Sequence, residues 1–192
     1  MKSLAYSLIA ALGLSAGAQA ATFEGVVAGT ATHTEYSEPG LISFDLDFAS
    51  LGTTTLRYVV EAADFGSLSF NALLINRIGL GGVGVTGYRV DIGAGLFASV
   101  GTAYREFSES YASVDFNGSS AVVDFGMPEF YDVRLGDPKG YAGNVNWSIT
   151  GLNAGDVLNI SVTAVPEPEG LAMLLAGLGA VAAFARRRRS AA

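Results

Sequence analysis

The chain has 192 residues, half of them hydrophobic, with 25 glycines, no cysteine, one histidine and a formal net charge of −7 at pH 7. This length is typical of one domain, and the apolar content is sufficient for a folded core. The lack of cysteine excludes disulfides, thiol nucleophiles and Cys-ligated metals, and a single histidine excludes a multi-histidine metal site. No cofactor is predicted.

The N-terminus contains the three parts of a secretory signal peptide in order. Lys2 supplies the positive start, an apolar run extends from Leu4 to Leu14, and the small-residue tripeptide Ala18-Gln19-Ala20 follows. The apolar run is shorter than the roughly 20 residues of a transmembrane helix. Residues 1–20 are therefore predicted to be a signal peptide, cleaved by signal peptidase after Ala20, with Ala18 and Ala20 as the small residues that it recognises.

Residues 21–165 show the period-two alternation of strands that are buried on one face. The alternation is clearest over residues 42–48, 145–150 and 158–164. Further strands are predicted at 22–34, 55–62, 68–75, 83–92, 96–104, 111–116 and 121–125. Turn residues separate them, and no helical pattern interrupts them. This region is predicted to be an all-β domain, a single antiparallel two-layer sandwich of jelly-roll type, with its strand order left open.

The charge of this region indicates which partners are excluded. It has 16 acidic and 6 basic residues, a formal charge of −10. Such a surface repels phosphate backbones, so no nucleic acid is expected to bind.

Two local motifs are interpreted as structural. Gly82 to Gly87 follow a G-x-G-x-x-G pattern, but a strand follows instead of the helix that a dinucleotide site requires, so a glycine-rich hairpin is favoured. His33 stands between two threonines in a predicted strand, and no nucleophile motif accompanies it.

Acidic and aromatic side chains are the remaining candidates for a binding site. Asp45 and Asp47 project from the same side of one strand, about 6.6–6.8 Å apart, which fits a glycosidase pair but follows from strand geometry alone. With Asp132 or Asp137 they are also calcium candidates, although no twelve-residue calcium loop is present. No catalytic residue is assigned. The tyrosines that could stack on sugar rings are Tyr36, Tyr88, Tyr104, Tyr111, Tyr131 and Tyr141.

The C-terminus has a different composition from the domain. Pro166-Glu167-Pro168 predicts an extended, exposed segment. Fifteen apolar or small residues, 171–185, follow, and as a helix they reach about 23 Å, short of a hydrocarbon core of about 30 Å. Arg186, Arg187, Arg188 and Arg189 end this run. A transmembrane-like helix held by cytoplasmic arginines is predicted here, outside the domain.

These C-terminal features together resemble the PEP-CTERM sorting signal of Gram-negative bacteria. The resemblance covers about the last 25 residues, with Pro166, Glu167 and Pro168 as the recognition motif and Arg186 to Arg189 as the membrane-retention cluster. It implies that an exosortase, a membrane-embedded transpeptidase-like enzyme, cuts near the motif. Residues 166–192 are therefore predicted to be a sorting signal. The implied route is export through the inner membrane, transient anchoring there, and transfer to the cell surface or the extracellular space.

Members of the PEP-CTERM family are typically exported by cells that make exopolysaccharide. The resemblance therefore implies a non-enzymatic adhesive or structural role in a biofilm or floc matrix, with polysaccharide as an expected partner. Two alternatives stay open. One is a carbohydrate-binding or glycan-cleaving module that acts on the exopolysaccharide, and the other is a protein that keeps residues 171–185 as a permanent anchor.

Overall fold

The computed structural model describes residues 21–61, 66–78, 84–166 and 176–178. Over these residues the protein is all-β, which confirms the predicted fold class. The predicted signal peptide with Ala18 and Ala20, the motif residues Glu167 and Pro168, and the arginine cluster lie outside the described residues.

Helical structure in the described C-terminal segment is limited to residues 176–178. Among the described residues, no helix has both the length and the apolar character needed to cross a bilayer. The transmembrane-like helix predicted over residues 171–185 is therefore not supported. Apart from residues 176–178, that predicted helix lies outside the described residues.

The described residues of the domain form fourteen strands. They are β1 (Thr22–Ala28), β2 (Thr32–Glu35), β3 (Leu41–Phe48), β4 (Thr53–Val59), β5 (Ser67–Asn76), β6 (Val85–Ile92), β7 (Leu96–Ser99), β8 (Ala103–Arg105), β9 (Ser110–Tyr111), β10 (Ser113–Asn117), β11 (Ser120–Glu129), β12 (Val133–Leu135), β13 (Trp147–Thr150) and β14 (Val157–Pro166).

The strands are divided between two sheets. The six-stranded sheet has the order β1-β4-β14-β6-β11-β10. The eight-stranded sheet has the order β2-β3-β5-β12-β8-β9, and β13 joins it by pairing with β5 and β7. One edge of β5 is shared, because β13 pairs with its first half and β12 with its second half.

Two sheets face each other across one hydrophobic core, as a sandwich requires. Trp147 is fully buried, and its ring makes edge contacts with Phe70 at 5.7 Å and Phe97 at 5.6 Å between centroids. Between the sheets, Phe48 of β3 packs on Tyr88 of β6 with a centroid distance of 5.7 Å. Alternation of apolar side chains within each strand thus produces the two inner faces.

Pairing of β3 with β5 corrects the prediction of a purely antiparallel, jelly-roll-like sandwich. These two strands are parallel, with Leu41 opposite Ser69 and Phe48 opposite Asn76. Parallel pairing needs a crossover, and β4 supplies it by pairing in the six-stranded sheet between β1 and β14. Alternating hydrophobicity shows that a strand is half buried but not which way its neighbour runs.

The prediction of a single strand over residues 22–34 is also wrong. The chain leaves the six-stranded sheet after β1 and enters the eight-stranded sheet at β2. Gly29, at the break, has a φ of 103°, and a Cβ there would collide with Thr54. Ala31 N donates a hydrogen bond to Thr54 Oγ1 at 3.2 Å. A left-handed glycine beside a neighbouring strand therefore lets the chain change sheets.

Candidate functional site: the outer face of the eight-stranded sheet

Strand register places five residues of four chemical types in one row on the outer face of the eight-stranded sheet. Asp45 pairs with Leu73, Leu73 with Arg134, Arg134 with Tyr104, and Tyr104 with Tyr111. Paired residues share a face, and four inter-strand spacings extend about 19 Å. A polar and aromatic row therefore crosses most of this sheet.

A pocket of about 380 Å³ lies at the Asp45 end of the row. Strands β3 and β5 and the segment 137–139 form it, so its shape depends on the parallel pair. Its polar lining residues are Tyr36, Glu38, Ser43, Asp45, Asn71, Asp137 and Lys139, and the apolar ones are Leu41, Leu73 and Pro138. We call it the Asn71 pocket.

Asn71 is the most deeply buried polar residue of this pocket. Only 2% of its surface is exposed. Its Nδ2 donates to Asn146 Oδ1 at 3.1 Å and to the Asp137 carbonyl at 3.3 Å, which fixes the loop that closes the pocket. Its Oδ1 has no hydrogen-bond partner among the described residues. Asn71 therefore anchors the loop beside the pocket, and its Oδ1 is itself buried.

Asp45 is the most perturbed carboxyl group of the pocket. Burial raises its pKa above the ordinary value of 3.8, whereas Lys139 and the Tyr36 hydroxyl act in the opposite direction. The nearby charge of Asp132 raises the pKa further. Asp45 is therefore a partly buried carboxyl group in the lining of the pocket.

Farther along the row, an arginine lies between two tyrosine rings. The Arg134 guanidinium carbon is 4.3 Å from the centre of the Tyr104 ring and 4.4 Å from that of Tyr141. Its Nε lies 3.0 Å from Glu106 Oε1, whereas NH1 has no partner in the described part of the chain. Tyr104 also makes an edge contact with Tyr111 at 5.3 Å. The stack holds exposed tyrosine rings in fixed orientations.

The two predicted calcium candidates have different environments. Asp45 and Asp47 lie on the same face of β3, as expected, but only Asp45 lines the pocket. Asp47 forms an ion pair with Arg77. Within the described ranges, no group of three or more acidic or histidine side chains is placed to hold a metal. The structure therefore gives no support to calcium binding at this pair.

The predicted sugar-stacking tyrosines separate into two groups. Tyr88 is fully buried in the core and is not available to a ligand. Tyr36, Tyr111, Tyr131 and Tyr141 are each more than half exposed. Tyr36 is at the rim of the Asn71 pocket, Tyr141 covers Arg134 and Tyr111 ends the row, so three of them lie along the row.

His33 occupies a structural position between the sheets. Its ring lies 4.2 Å from the Phe23 ring, and its Nε2 is 2.9 Å from Glu35 Oε2. The Tyr58 hydroxyl donates to the same oxygen at 2.9 Å. Burial and the nearby Glu35 charge raise the pKa of Tyr58 well above 10, so this hydroxyl stays a donor. The placement supports the structural interpretation of His33.

Three residues of the outer face were missed by the sequence interpretation. They are Asn71, Arg134 and Lys139. Asn71 interrupts the apolar run of β5, and Arg134 lies between two buried apolar residues of β12. A polar residue within an otherwise apolar strand could have identified both of them from the sequence. Lys139 had no such signal, because its place in the pocket depends on the path of the loop.

The end of the domain is joined directly to the C-terminal signal. Strand β14 lies between β4 and β6 and continues to Pro166, which is opposite Val85. The Thr86 hydroxyl is 3.2 Å from the Pro166 carbonyl and holds the strand end to β6. A C-terminal segment attached in this way leaves the rigid domain at one defined point.

Comparison with known protein families defines the class of this C-terminal segment. It is a protein-sorting signal, of the kind that directs an exported protein to the cell envelope or surface. Residues 164–189 match the family model described as the PEP-CTERM protein-sorting motif. The chain therefore carries the PEP-CTERM signal that its sequence resembles and is an exosortase-targeted secreted protein. No curated protein and no solved structure matches the chain.

Proposed function

We propose that this protein is a non-enzymatic adhesive or structural component of an exopolysaccharide biofilm or floc matrix. Signal peptidase removes residues 1–20, the C-terminal tail anchors the chain transiently in the inner membrane, and an exosortase releases or transfers the domain to the surface. The PEP-CTERM motif at residues 164–189 is the observation that carries this proposal.

The domain has properties that suit a passive matrix component. It is a two-layer sandwich with a continuous core. Its acidic charge favours solubility outside the cell. The outer face of the eight-stranded sheet presents exposed tyrosines, and Tyr and Arg are residue types that dominate recognition surfaces. A surface of this kind suits adhesion to a hydroxyl-rich polymer.

The experiment compares native cells with a deletion strain and with strains that carry altered chains. The full chain should restore floc formation and appear in the matrix fraction. A chain that ends at Pro166 keeps β14 but loses the tail, and it should be exported without being retained at the surface. Pro168→Ala tests recognition of the motif outside β14. Normal floc formation in the deletion strain would contradict the proposal.

A second candidate function is favoured by the Asn71 pocket. A carbohydrate-binding or glycan-cleaving module would use its concave, polar lining, which includes the carboxylates of Asp45 and Asp137. Incubation of the exported protein with matrix polysaccharide distinguishes the cases. Binding without new reducing ends supports a lectin-like role, and the appearance of new reducing ends supports an enzyme.

A further inference from the structure

Hydrogen-bonding groups in the Asn71 pocket determine what it can hold. The Asp45 carboxylate is an acceptor in the lining. The Lys139 ammonium group is a donor in the same lining. A ligand that both donates and accepts hydrogen bonds matches this lining. Neighbouring hydroxyl groups meet this requirement.

The charge of the lining selects among hydroxyl-bearing ligands. Glu38, Asp45 and Asp137 contribute three carboxylates, whereas Lys139 contributes one cation. The surrounding domain is also acidic, with 16 acidic and 6 basic residues between positions 21 and 165. An anionic glycan would be repelled by this arrangement. A neutral ligand would not be repelled.

The walls and surroundings of the pocket suit a ring with apolar C–H faces. Tyr36 is 54% exposed at the rim, and Leu73 forms part of the wall. A sugar ring can lie against these surfaces while its hydroxyls reach the polar groups. The row from Asp45 to Tyr111 then offers a path of about 19 Å for a polymer, past the ring of Tyr141.

We infer that the Asn71 pocket binds a unit of a neutral polysaccharide, with the Asp45 carboxylate accepting hydrogen bonds from sugar hydroxyls, Lys139 donating one and Tyr36 covering the ring. This inference rests on the proposed matrix function and names the ligand class and site through which adhesion occurs. Binding is direct and needs no metal ion.

The test uses the exported protein recovered from native cells and the exopolysaccharide of those cells, separated by anion exchange into neutral and acidic fractions. Binding to each fraction is measured by calorimetry. Asp45→Asn and Tyr36→Ala alter the pocket, and Asp47→Asn and Tyr131→Ala are matched controls outside it. Thermal unfolding of each variant verifies that it is folded.

The neutral fraction should bind, and Asp45→Asn should weaken binding about 10- to 100-fold, the usual effect of losing a hydrogen bond to a charged group. Tyr36→Ala should weaken it about tenfold, because the ring face is lost. The controls should stay within about twofold of the unaltered protein. EDTA should have no effect. Preferential binding of the acidic fraction, loss of binding in EDTA, equal effects of pocket and control variants, or no binding at all would each overturn the inference.

Cell experiments separate failure of this inference from failure of the proposed function. If the unaltered gene restores flocs and Asp45→Asn restores them equally well, the matrix function stands and the pocket is not its binding site. If the deletion strain forms normal flocs, the matrix function itself is wrong.

Discussion

Pro166 lies opposite Val85 at the end of β14, so the first residue of the Pro-Glu-Pro motif is the last residue of a central strand. The matched sorting motif starts even earlier, at Ala164, inside the same strand. A cut before Pro166 would remove ladder hydrogen bonds from the middle of the six-stranded sheet. The fold therefore tolerates cleavage of the signal only at positions after Pro166.

This limit can be tested with two truncated chains. A chain of residues 21–166 retains all of β14, whereas a chain of residues 21–161 lacks Val162 and Ala164, which are both buried. The shorter chain should lose at least about 3 kcal/mol of unfolding free energy, because apolar burial and ladder pairing are both lost. Urea unfolding measures the difference. Equal stability of the two chains would contradict the assigned end of the domain.

Asp45 should contribute more to the unfolding free energy at acidic pH than at neutral pH. Burial raises its pKa above 3.8, so the folded state binds the proton more tightly than the unfolded state. The unfolding free energy contributed by this group is therefore fully present below pH 3.8 and is lost as the pH rises through the folded pKa.

Asp45→Asn removes this titration. The variant should be as stable as the unaltered protein or more stable at pH 7, and this advantage should shrink towards pH 3.5. Melting temperatures at the two pH values provide the measurement, with Asp47→Asn as the control that breaks an ion pair to Arg77 instead. An advantage that grew on acidification would have the wrong sign.

Two buried tyrosines should make the fold sensitive to alkali. Burial raises the pKa values of Tyr58 and Tyr88 well above 10, so both keep their protons in the folded state after an unfolded chain has lost them. Above pH 10 each group should lower the unfolding free energy by up to about 1.4 kcal/mol per pH unit. Urea unfolding between pH 8 and pH 11 would show this slope.

The two hydroxyls should respond differently to removal. Tyr58→Phe loses a hydrogen bond to Glu35 and should cost about 1–2 kcal/mol. Tyr88→Phe removes a hydroxyl that has no partner among the described residues, so it should be neutral or stabilising by up to about 1 kcal/mol. Equal losses at neutral pH would contradict the assigned hydrogen bonding.

A buried ion pair should matter more than an exposed one. Arg105 and Glu129 are both nearly inaccessible, with Arg105 Nε 3.4 Å from Glu129 Oε2 and NH1 donating to the Phe125 carbonyl at 2.9 Å. Arg105→Met leaves Glu129 buried without its counter-charge and should cost about 3–5 kcal/mol. Arg77→Met breaks an exposed pair and should cost less than about 1 kcal/mol. Similar values from urea unfolding would contradict this difference.

Local patterns predicted much of the strand content but not its arrangement. Strands β3 and β14 were located to within about two residues, because their side chains alternate between core and solvent. Strand β12 was missed because its three residues, Val133–Leu135, are too few to establish a period, and turn residues surround it. The parallel pairing of β3 with β5 depends on contacts between distant parts of the chain.

Residues of the candidate site were likewise predicted individually but not as a group. Asp45 and Tyr36 were identified from their residue types, and both line the Asn71 pocket. Their grouping with Asn71 and Lys139 was not predictable, since it requires β5 beside β3 and the 137–139 segment folded over both. Sequence chemistry suggested which groups could bind sugar, and only the topology brought them together.

Intact mass spectrometry of the protein recovered from native cells shows directly whether both ends of the chain have been removed. We predict one species that starts at Ala21 and ends shortly after Pro166, which means that both the signal peptide and the arginine-terminated tail have been removed. A surface-located species whose mass still includes Arg186 to Arg189 would contradict the account.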